Sequence, residues 1–345
     1  ALWSSGVLGN LGAFTSMGIS VLLGLLLTLP QAVLLGATFP FAVAGIMRAT
    51  KLEGHRSIPA LYFANSLGAA IGILVMSFVL VPRLGLPGTL VFAACLNLIV
   101  ALGFLLLQRA VDNVVQEPAI NDDGLEESIM PSVALLLLVS FGTGMTSFFY
   151  GIGWIRLLAL ILGFSTHAFD LMLSAFILGL GIGSFYIWVT PGCRPLQLRL
   201  AKAQIYMGIA ASLGIFGAEA LFRLQHLSHS FLVRSTDTWG VHALFQLAIC
   251  IFLMCPTSFF AGMTLPLLTT LLVKSKNKES YLGHVYGWNT LGSILGATIG
   301  SLLLLPFMGV TRLVAFGALL DVGLGVMLLK GVRPFPARMP LVAGS

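Results

Sequence analysis

Apolar residues fill long uninterrupted stretches of the chain, and polar residues concentrate in the short connections between them. The stretches last for about 20 residues or more, which is the length of helix that crosses a bilayer. The pattern therefore predicts an all-α polytopic membrane bundle of nine spans. They are expected at 14–47, 58–81, 84–107, 131–161, 167–189, 200–221, 242–273, 281–305 and 311–329.

The most polar stretch divides the chain into two membrane regions. We expect residues 1–108 to form three membrane helices, which are half of a repeat described below, and residues 131–330 to form a six-helix repeat. Residues 109–130 are expected to be an acidic linker, and residues 331–345 a cytoplasmic tail. We interpret the linker as a solvated connection, with a docking segment for a basic partner as the alternative. The chain begins at Ala1 without a signal-peptide pattern, which indicates a processed chain or a piece of a longer one.

Composition and charge agree with this architecture. Only 9% of the residues are charged and 58% are hydrophobic, whereas soluble domains carry about 25% charged residues, so a soluble enzyme is excluded. The net charge of +6 is spread over loops, so we expect no nucleic-acid partner. Most bases fall in the connections after the first, third, fifth and seventh spans and at the C-terminus, which predicts an outside N-terminus and a cytoplasmic C-terminus.

Residues recur in the same order in the first three and the last three predicted spans. The pairs are Pro30 and Pro256, Gly36 and Gly262, Thr38 and Thr264, Pro40 and Pro266, Tyr62 and Tyr286, Asn65 and Asn289, Gly68 and Gly292, Gly72 and Gly296, Pro82 and Pro306, and Gly85 and Gly309. An even number of helices per period makes the repeat parallel. The simplest account is a 6+6 ancestor without its first three helices, an architecture typical of the major facilitator fold.

The repeated motifs resemble a known family of bacterial membrane proteins, the fused major-facilitator/spermidine synthase proteins. The resemblance rests on the segment Gly36 to Pro40, the Y-x-x-N-x-x-G segments at Tyr62 and Tyr286, and W-x-R-L-L-A-L at Trp154, which precedes a glycine-rich helix. It implies a bacterial inner-membrane location. It also implies polyamine synthesis by a soluble aminopropyltransferase domain that is absent after the last span.

Glycines at four-residue spacing predict close helix packing in lipid. The glycines assigned to packing are Gly68, Gly72, Gly179, Gly183, Gly292, Gly296 and Gly300. The runs that begin at Gly179 and Asp321 look like pieces of nucleotide-binding loops, but neither follows a predicted strand, so we expect no cofactor. Four scattered cysteines fit neither a disulfide framework nor a zinc site, and we expect no metal.

The prolines and asparagines inside the predicted spans each allow two interpretations. Pro30, Pro40, Pro256 and Pro266 are expected to kink their helices, either as packing features or as hinges beside a transport path. Asn65 and Asn289 are expected to hydrogen-bond across a helix interface or to cap a re-entrant turn.

Ionisable groups within a span cost about 2.5–3.5 kcal/mol on insertion scales, so each needs a partner or a wet cavity. The candidates are Arg156, His167, Asp170, Glu219 and Asp321. We expect a salt bridge between Arg156 and Asp170 and an i,i+4 pair between Glu219 and Arg223. Asp321 occupies the place of Asn97 in the other copy, and we expect it to make a polar contact between helices.

The sequence contains no nucleophile and base arranged for catalysis, so we lean against an enzyme. We favour a non-catalytic membrane subunit that scaffolds or docks within a larger membrane complex, with lipid and other membrane subunits as partners. One alternative is a transporter or channel for a small organic cation such as a polyamine, with Asp170 and Glu219 attracting the cation. The other is the membrane anchor of a spermidine synthase-like enzyme whose catalytic domain is elsewhere.

Overall fold

The computed structural model describes residues 13–49, 54–111, 131–190, 195–231, 239–276 and 280–330, and these residues form helices and short connections without a strand. The helices are α1 (Ala13–Ala49), α2 (Gly54–Val75), α3 (Val81–Val111), α4 (Val133–Leu162), α5 (Thr166–Val189), α6 (Leu196–Phe231), α7 (Trp239–Lys276), α8 (Ser280–Ile299) and α9 (Leu305–Lys330).

Seven helical runs within the described residues are long and apolar enough to cross a membrane. Five of them correspond to α1, α4, α5, α6 and α7. The other two are the 50-residue runs Ser57–Leu106 and Tyr281–Lys330, which join α2 to α3 and α8 to α9. A chain of long apolar helices is consistent with a membrane helix bundle.

Both 50-residue runs contain the same two irregularities. A π-helical turn follows α2 at Met76–Leu80, and another follows α8 at Gly300–Leu304. Each turn is followed by a glycine outside helical geometry: Gly85 has φ 67° and ψ 176°, and Gly309 has φ 74° and ψ 174°. Glycine adopts these angles readily because it lacks a Cβ. Helical geometry is therefore interrupted at one glycine in each run.

The chain divides into two compact units, Ala1–Thr50 and Lys51–Ser345. The first unit contains α1, whose Ser20, Thr28 and Thr38 hydroxyls donate to backbone carbonyls four residues earlier in the same helix. These hydroxyls satisfy their hydrogen-bonding needs locally, which suits a helix in an apolar environment.

The core of the second unit lies between α4, α5, α6, α7 and α9. Its largest buried side chains include Tyr150, Trp154, Leu158, Met207 and Met254. Helix α4 packs mainly on α8 and α9, α5 on α7 and α2, and α6 on α9 and α7. Helix α3 lies apart from this core, and among its described side chains only Thr89 is buried.

The four prolines that lie within the predicted first and seventh spans do not interrupt their helices. Helix α1 continues through Pro30 and Pro40, and α7 continues through Pro256 and Pro266. The kinks expected at these prolines stay a prediction.

Helix α6 is longer than the sequence predicted. It extends from Leu196 to Phe231, whereas we expected 200–221. The added residues, 196–199 and 222–231, contain neither glycine nor proline. The Glu219–Arg223 pair, at the i,i+4 spacing that stabilises a helix, joins the end of the expected span to the C-terminal extension.

Several predictions concern residues outside the described part of the chain. They include most of the acidic linker at 109–130, the tail at 331–345 and the side chains of several bases used to orient the chain, such as Arg48, Lys51 and Lys274.

Candidate functional site

Asp321 lies in the core and is held by two hydroxyl groups of the neighbouring helix α4. Its side chain is 0% exposed. Thr146 Oγ1 donates to Asp321 Oδ1 over 2.8 Å, and the Tyr150 hydroxyl donates a short hydrogen bond to Oδ2. It forms no ion pair with any described residue. Neutral donors from one helix thus satisfy both carboxyl oxygens, which creates a polar contact between α4 and α9.

Gln204 connects α6 to the same part of α4. Its Nε2 donates to Thr143 Oγ1 over 2.5 Å, and the Thr143 hydroxyl in turn donates to the Val139 carbonyl oxygen over 2.8 Å. Gln204 Oε1 is buried and accepts no hydrogen bond from the described residues. Helix α4 is therefore the common partner of polar groups on α6 and α9.

Asn289 connects α8 to α4 through a backbone carbonyl. Its Nδ2 donates to the Ser140 carbonyl oxygen over 3.0 Å, while Ser140 Oγ donates to the Val285 carbonyl oxygen over 2.8 Å. Asn289 therefore forms a hydrogen bond across a helix interface.

The glycines of α8 lie directly against α4. A Cβ on Gly292 would collide with the Phe141 carbonyl oxygen, and one on Gly296 would lie 2.5 Å from the Met145 carbonyl oxygen. Gly300 faces the next turn of α4. The absence of side chains at these positions permits the two backbones to approach closely, as small residues do in membranes.

The matching residues of α2 have no such contact. Asn65, Gly68 and Gly72 are exposed, and a Cβ on either glycine would have no neighbour within 4 Å. Asn65 forms no hydrogen bond with a described residue. Among the described helices of the second unit, none packs on Gly68 and Gly72 as α4 packs on α8, so the packing expected at these two glycines stays a prediction.

Asn97 of α3 and Asp321 of α9, which match in the predicted repeat, also differ in burial. Asp321 is fully buried between α4 and the rest of the core, whereas Asn97 is exposed in the middle of an apolar helix and forms no hydrogen bond with a described residue. In both pairs, Asn65 with Asn289 and Asn97 with Asp321, the first residue is exposed and the second contacts α4.

Gly179 and Gly183 pack α5 closely against α7. A Cβ on Gly179 would collide with Ser258 Oγ, and one on Gly183 would collide with the Phe259 carbonyl oxygen. From the other helix, Gly262 faces the α5 backbone in the same way. These glycines therefore contact the neighbouring helix directly.

Arg156 and Asp170 do not form the salt bridge that we expected. Arg156 is exposed, Asp170 is half-buried, and neither makes an ion pair with a described residue. The reason lies in the packing: α4 turns its main surfaces to α8 and α9, and α5 turns its main surfaces to α7 and α2. The prediction had assumed that helices adjacent in sequence also share an interface.

His167 contacts the π-helical turn that follows α2. Its Nδ1 lies 3.0 Å from Ser77 Oγ, and its ring stacks on Phe78 with a centroid distance of 5.3 Å. His167 therefore contributes to the packing of α5 against α2.

Glu219 and Arg223 form the expected pair within α6. Arg223 Nη2 donates to Glu219 Oε1 over 2.6 Å, and the two side chains are 78% and 76% exposed. His226 is exposed on the same helix, and the side chain of His229 lies outside the description. Among the described residues no group of three or more His, Cys, Asp or Glu is placed to hold a metal ion.

The partners of Asp321 were not predicted from the sequence. Thr143, Thr146 and Tyr150 recur at three- or four-residue spacing in an otherwise apolar helix, which places them on neighbouring positions of one surface. That spacing is the signal that would have identified α4 as the polar partner of α9.

Comparison with protein families, with curated proteins and with solved structures finds no match to this chain.

Proposed function

We propose that the chain is a non-catalytic integral membrane subunit that docks within a larger membrane complex. The surface that would dock is the exposed face of α2 formed by Asn65, Gly68 and Gly72, which we call the α2 face. The proposal includes nine membrane crossings and an internal repeat in which α1–α3 correspond to α7–α9.

Helix lengths support nine crossings. A straight helix of 50 residues would be about 75 Å long, more than twice the roughly 30 Å thickness of a hydrocarbon core. The breaks at Gly85 and Gly309 divide the two long runs into segments of spanning length. Both breaks follow a π-helical turn at the same distance, which supports the repeat.

One observation carries the docking function. Asn289, Gly292 and Gly296 bind α4 through a hydrogen bond and close backbone contacts, whereas the matching α2 face is exposed. Small residues and a hydrogen-bonding amide on one face are typical of a helix that packs on another helix in a membrane. The same residues are therefore suited to bind a helix on α2.

No specific observation favours cation transport. The Glu219 charge is already paired with Arg223 within α6, and Asp170 lies on a different helix, α5. The two groups that would attract a cation thus do not form one site.

The orientation is part of the proposal. The distribution of bases supports an outside N-terminus and a cytoplasmic C-terminus, and the resemblance to the fused major-facilitator/spermidine synthase proteins supports a bacterial inner membrane. Accessibility of single cysteines placed in each connection would test both the sidedness and the number of crossings.

Purification from native membranes in a mild detergent tests the docking function. We expect the chain to elute with membrane subunits in fixed stoichiometry. The double substitution Gly68→Leu with Gly72→Leu should release them, because leucine side chains would occupy the space of the docked helix.

Gly217→Leu is the matched control. Gly217 has no neighbour within 4 Å of a built Cβ and lies on α6, away from the α2 face, so this variant should keep the subunits bound. A chain that elutes alone, and that takes up labelled polyamine into liposomes only when Asp170 and Glu219 are intact, would contradict docking and support transport.

A further inference from the structure

A buried carboxyl group and a buried amide oxygen lie at the junction of three helices, α4, α6 and α9. We propose that this junction is a proton-binding site, in which the acid form of Asp321 donates a hydrogen bond to Gln204 Oε1. The site is independent of the proposed docking function, because all three helices belong to the second compact unit.

Backbone contacts place the amide and the carboxyl group at the same level of the interface between α6 and α9. One turn after Gln204, a Cβ on Gly208 would lie 2.6 Å from the Ala318 carbonyl oxygen. One turn after the acidic residue, a Cβ on Gly325 would lie 2.9 Å from the Ala201 carbonyl oxygen. The two helices run in opposite directions at these contacts, so the amide and the carboxyl group both lie between them.

Helix α4 contacts both side chains from a third side. Gln204 Nε2 donates to Thr143 Oγ1 over 2.5 Å. Thr146, three residues later, donates to Asp321 Oδ1 over 2.8 Å, and the Tyr150 hydroxyl donates to Oδ2. These five buried side chains therefore form one polar cluster that joins the three helices.

This cluster has one acceptor for which the described residues supply no donor. Gln204 and Asp321 are both 0% exposed, and Gln204 Oε1 accepts no hydrogen bond from the described residues. A buried acceptor without a donor is unfavourable, and so is a buried carboxylate without a counter-ion. A proton on Asp321 removes both costs, because the acid form is neutral and its hydroxyl is a donor.

Oδ1 is the carboxyl oxygen suited to carry the proton. Its donor, Thr146 Oγ1, also lies 3.3 Å from the Thr143 carbonyl oxygen, so the Thr146 hydroxyl hydrogen can turn to that acceptor. Oδ2 keeps the hydrogen bond from Tyr150. Release of the proton would charge the junction and remove the link from α9 to α6, so proton binding is coupled to the packing of these helices.

No charged side chain among the described residues forms an ion pair with Asp321. Helix α9 packs on α4, α6 and the π-helical turn Gly300–Leu304, and of the titratable groups on these elements Tyr150 is the one that contacts the carboxyl group. The nearest other charged or titratable residues along the three helices are half-buried or exposed; they are Arg156, Arg199, Lys202, Tyr206, Arg312 and Lys330.

Infrared spectroscopy of the full chain in lipid nanodiscs at neutral pH tests for the proton. We expect the carbonyl band of a protonated carboxylic acid, which ionised carboxylates lack. Isotopic labelling of the aspartate carboxyl carbons should shift this band without any substitution, and Asp321→Asn should abolish it. The matched control is Asp170→Asn, which removes a half-buried acid of α5 and should leave the band unchanged.

A second variant tests the acceptor. Gln204→Met preserves the length of the side chain and removes the amide, so the acid hydroxyl loses its partner. The band should then move to higher wavenumber or disappear. An unchanged band in this variant would show that Gln204 does not accept the proton's hydrogen bond, and the proposed site would be wrong.

Two other results would overturn the proton-binding site. Absence of an acid band from the unmodified chain would show that Asp321 is ionised at neutral pH. A band that sodium chloride suppresses and choline chloride leaves intact would show that the junction binds a sodium ion. Neither result bears on the docking function, which purification with the Gly68→Leu and Gly72→Leu substitutions tests separately.

Discussion

The Tyr150 hydroxyl donates a short hydrogen bond to Oδ2 of Asp321 and thereby joins α4 to α9 inside the core. Thr146 donates to the other carboxyl oxygen over 2.8 Å. The acidic side chain is thus stabilised by hydroxyls from one neighbouring helix and forms no ion pair with a described residue. This contact distinguishes Asp321 from Asn97, its counterpart in the proposed repeat, which is exposed and is not covered by any described helix of the second unit.

We expect Tyr150→Phe to lower the free energy of unfolding by about 1–3 kcal/mol, because the buried Asp321 oxygen loses its donor. The measurement is denaturant unfolding of the purified chain in detergent. Tyr150→Phe combined with Asp321→Leu should be less destabilising than the sum of the two single variants, since contacting residues do not act additively.

Tyr206→Phe is the matched control for this prediction. Tyr206 is exposed on α6 and its hydroxyl makes no hydrogen bond with a described residue, so its removal should change stability by less than about 0.5 kcal/mol. Equal stability of the Tyr150→Phe and Tyr206→Phe proteins would show that the Asp321 contact does not hold α4 to α9.

The same substitution at two matched glycines should have opposite consequences in the isolated chain. Gly292→Leu places a side chain against the Phe141 carbonyl and should destabilise the fold by about 1–3 kcal/mol or more. Gly68→Leu meets open space, so it should be neutral or slightly stabilising, because leucine favours helix more than glycine does. Unfolding of both variants in detergent would test the contrast, and a similar loss at both positions would contradict the exposed state of the α2 face.

Removal of the Glu219 charge should have little effect. The pair with Arg223 is exposed and lies within one helix, so Glu219→Gln should change the unfolding free energy by no more than about 0.5 kcal/mol. The control is Arg223→Gln, which removes the same pair from the other side. A loss above about 1 kcal/mol in either variant would indicate a role for the pair beyond the helix.

The apolar pattern was sufficient to predict a helical membrane protein, because a spanning segment must carry its own backbone hydrogen bonds and a nearly continuous apolar surface. The Glu219–Arg223 pair could also be predicted from the sequence, since residues four apart are neighbours on one face of a helix. Both predictions depend only on local patterns along the chain.

Contacts between helices were harder to predict. The Arg156–Asp170 pair was wrong because sequence order does not decide which faces of α4 and α5 meet. The same limit explains why Gly68 and Gly292 look alike in sequence yet only Gly292 packs on another described helix. A small-residue motif indicates a surface suited to packing, and only the arrangement of the other helices decides whether the surface is occupied.

The two backbone breaks provide a test of the paired runs. Gly85 and Gly309 have positive φ with ψ near 175°, a region that is essentially restricted to glycine. Gly85→Ala and Gly309→Ala should each destabilise the chain by about 1–3 kcal/mol in detergent unfolding. A residue with a Cβ is strained at these backbone angles even where there is room for the Cβ. Gly323→Ala is the control, since Gly323 is helical and has open space for a Cβ, and it should be neutral or gain up to about 1 kcal/mol. If the alanine variants at Gly85 and Gly309 were as stable as that control, the two runs would not require a break at these glycines, and the proposal that each run crosses the membrane twice would be contradicted.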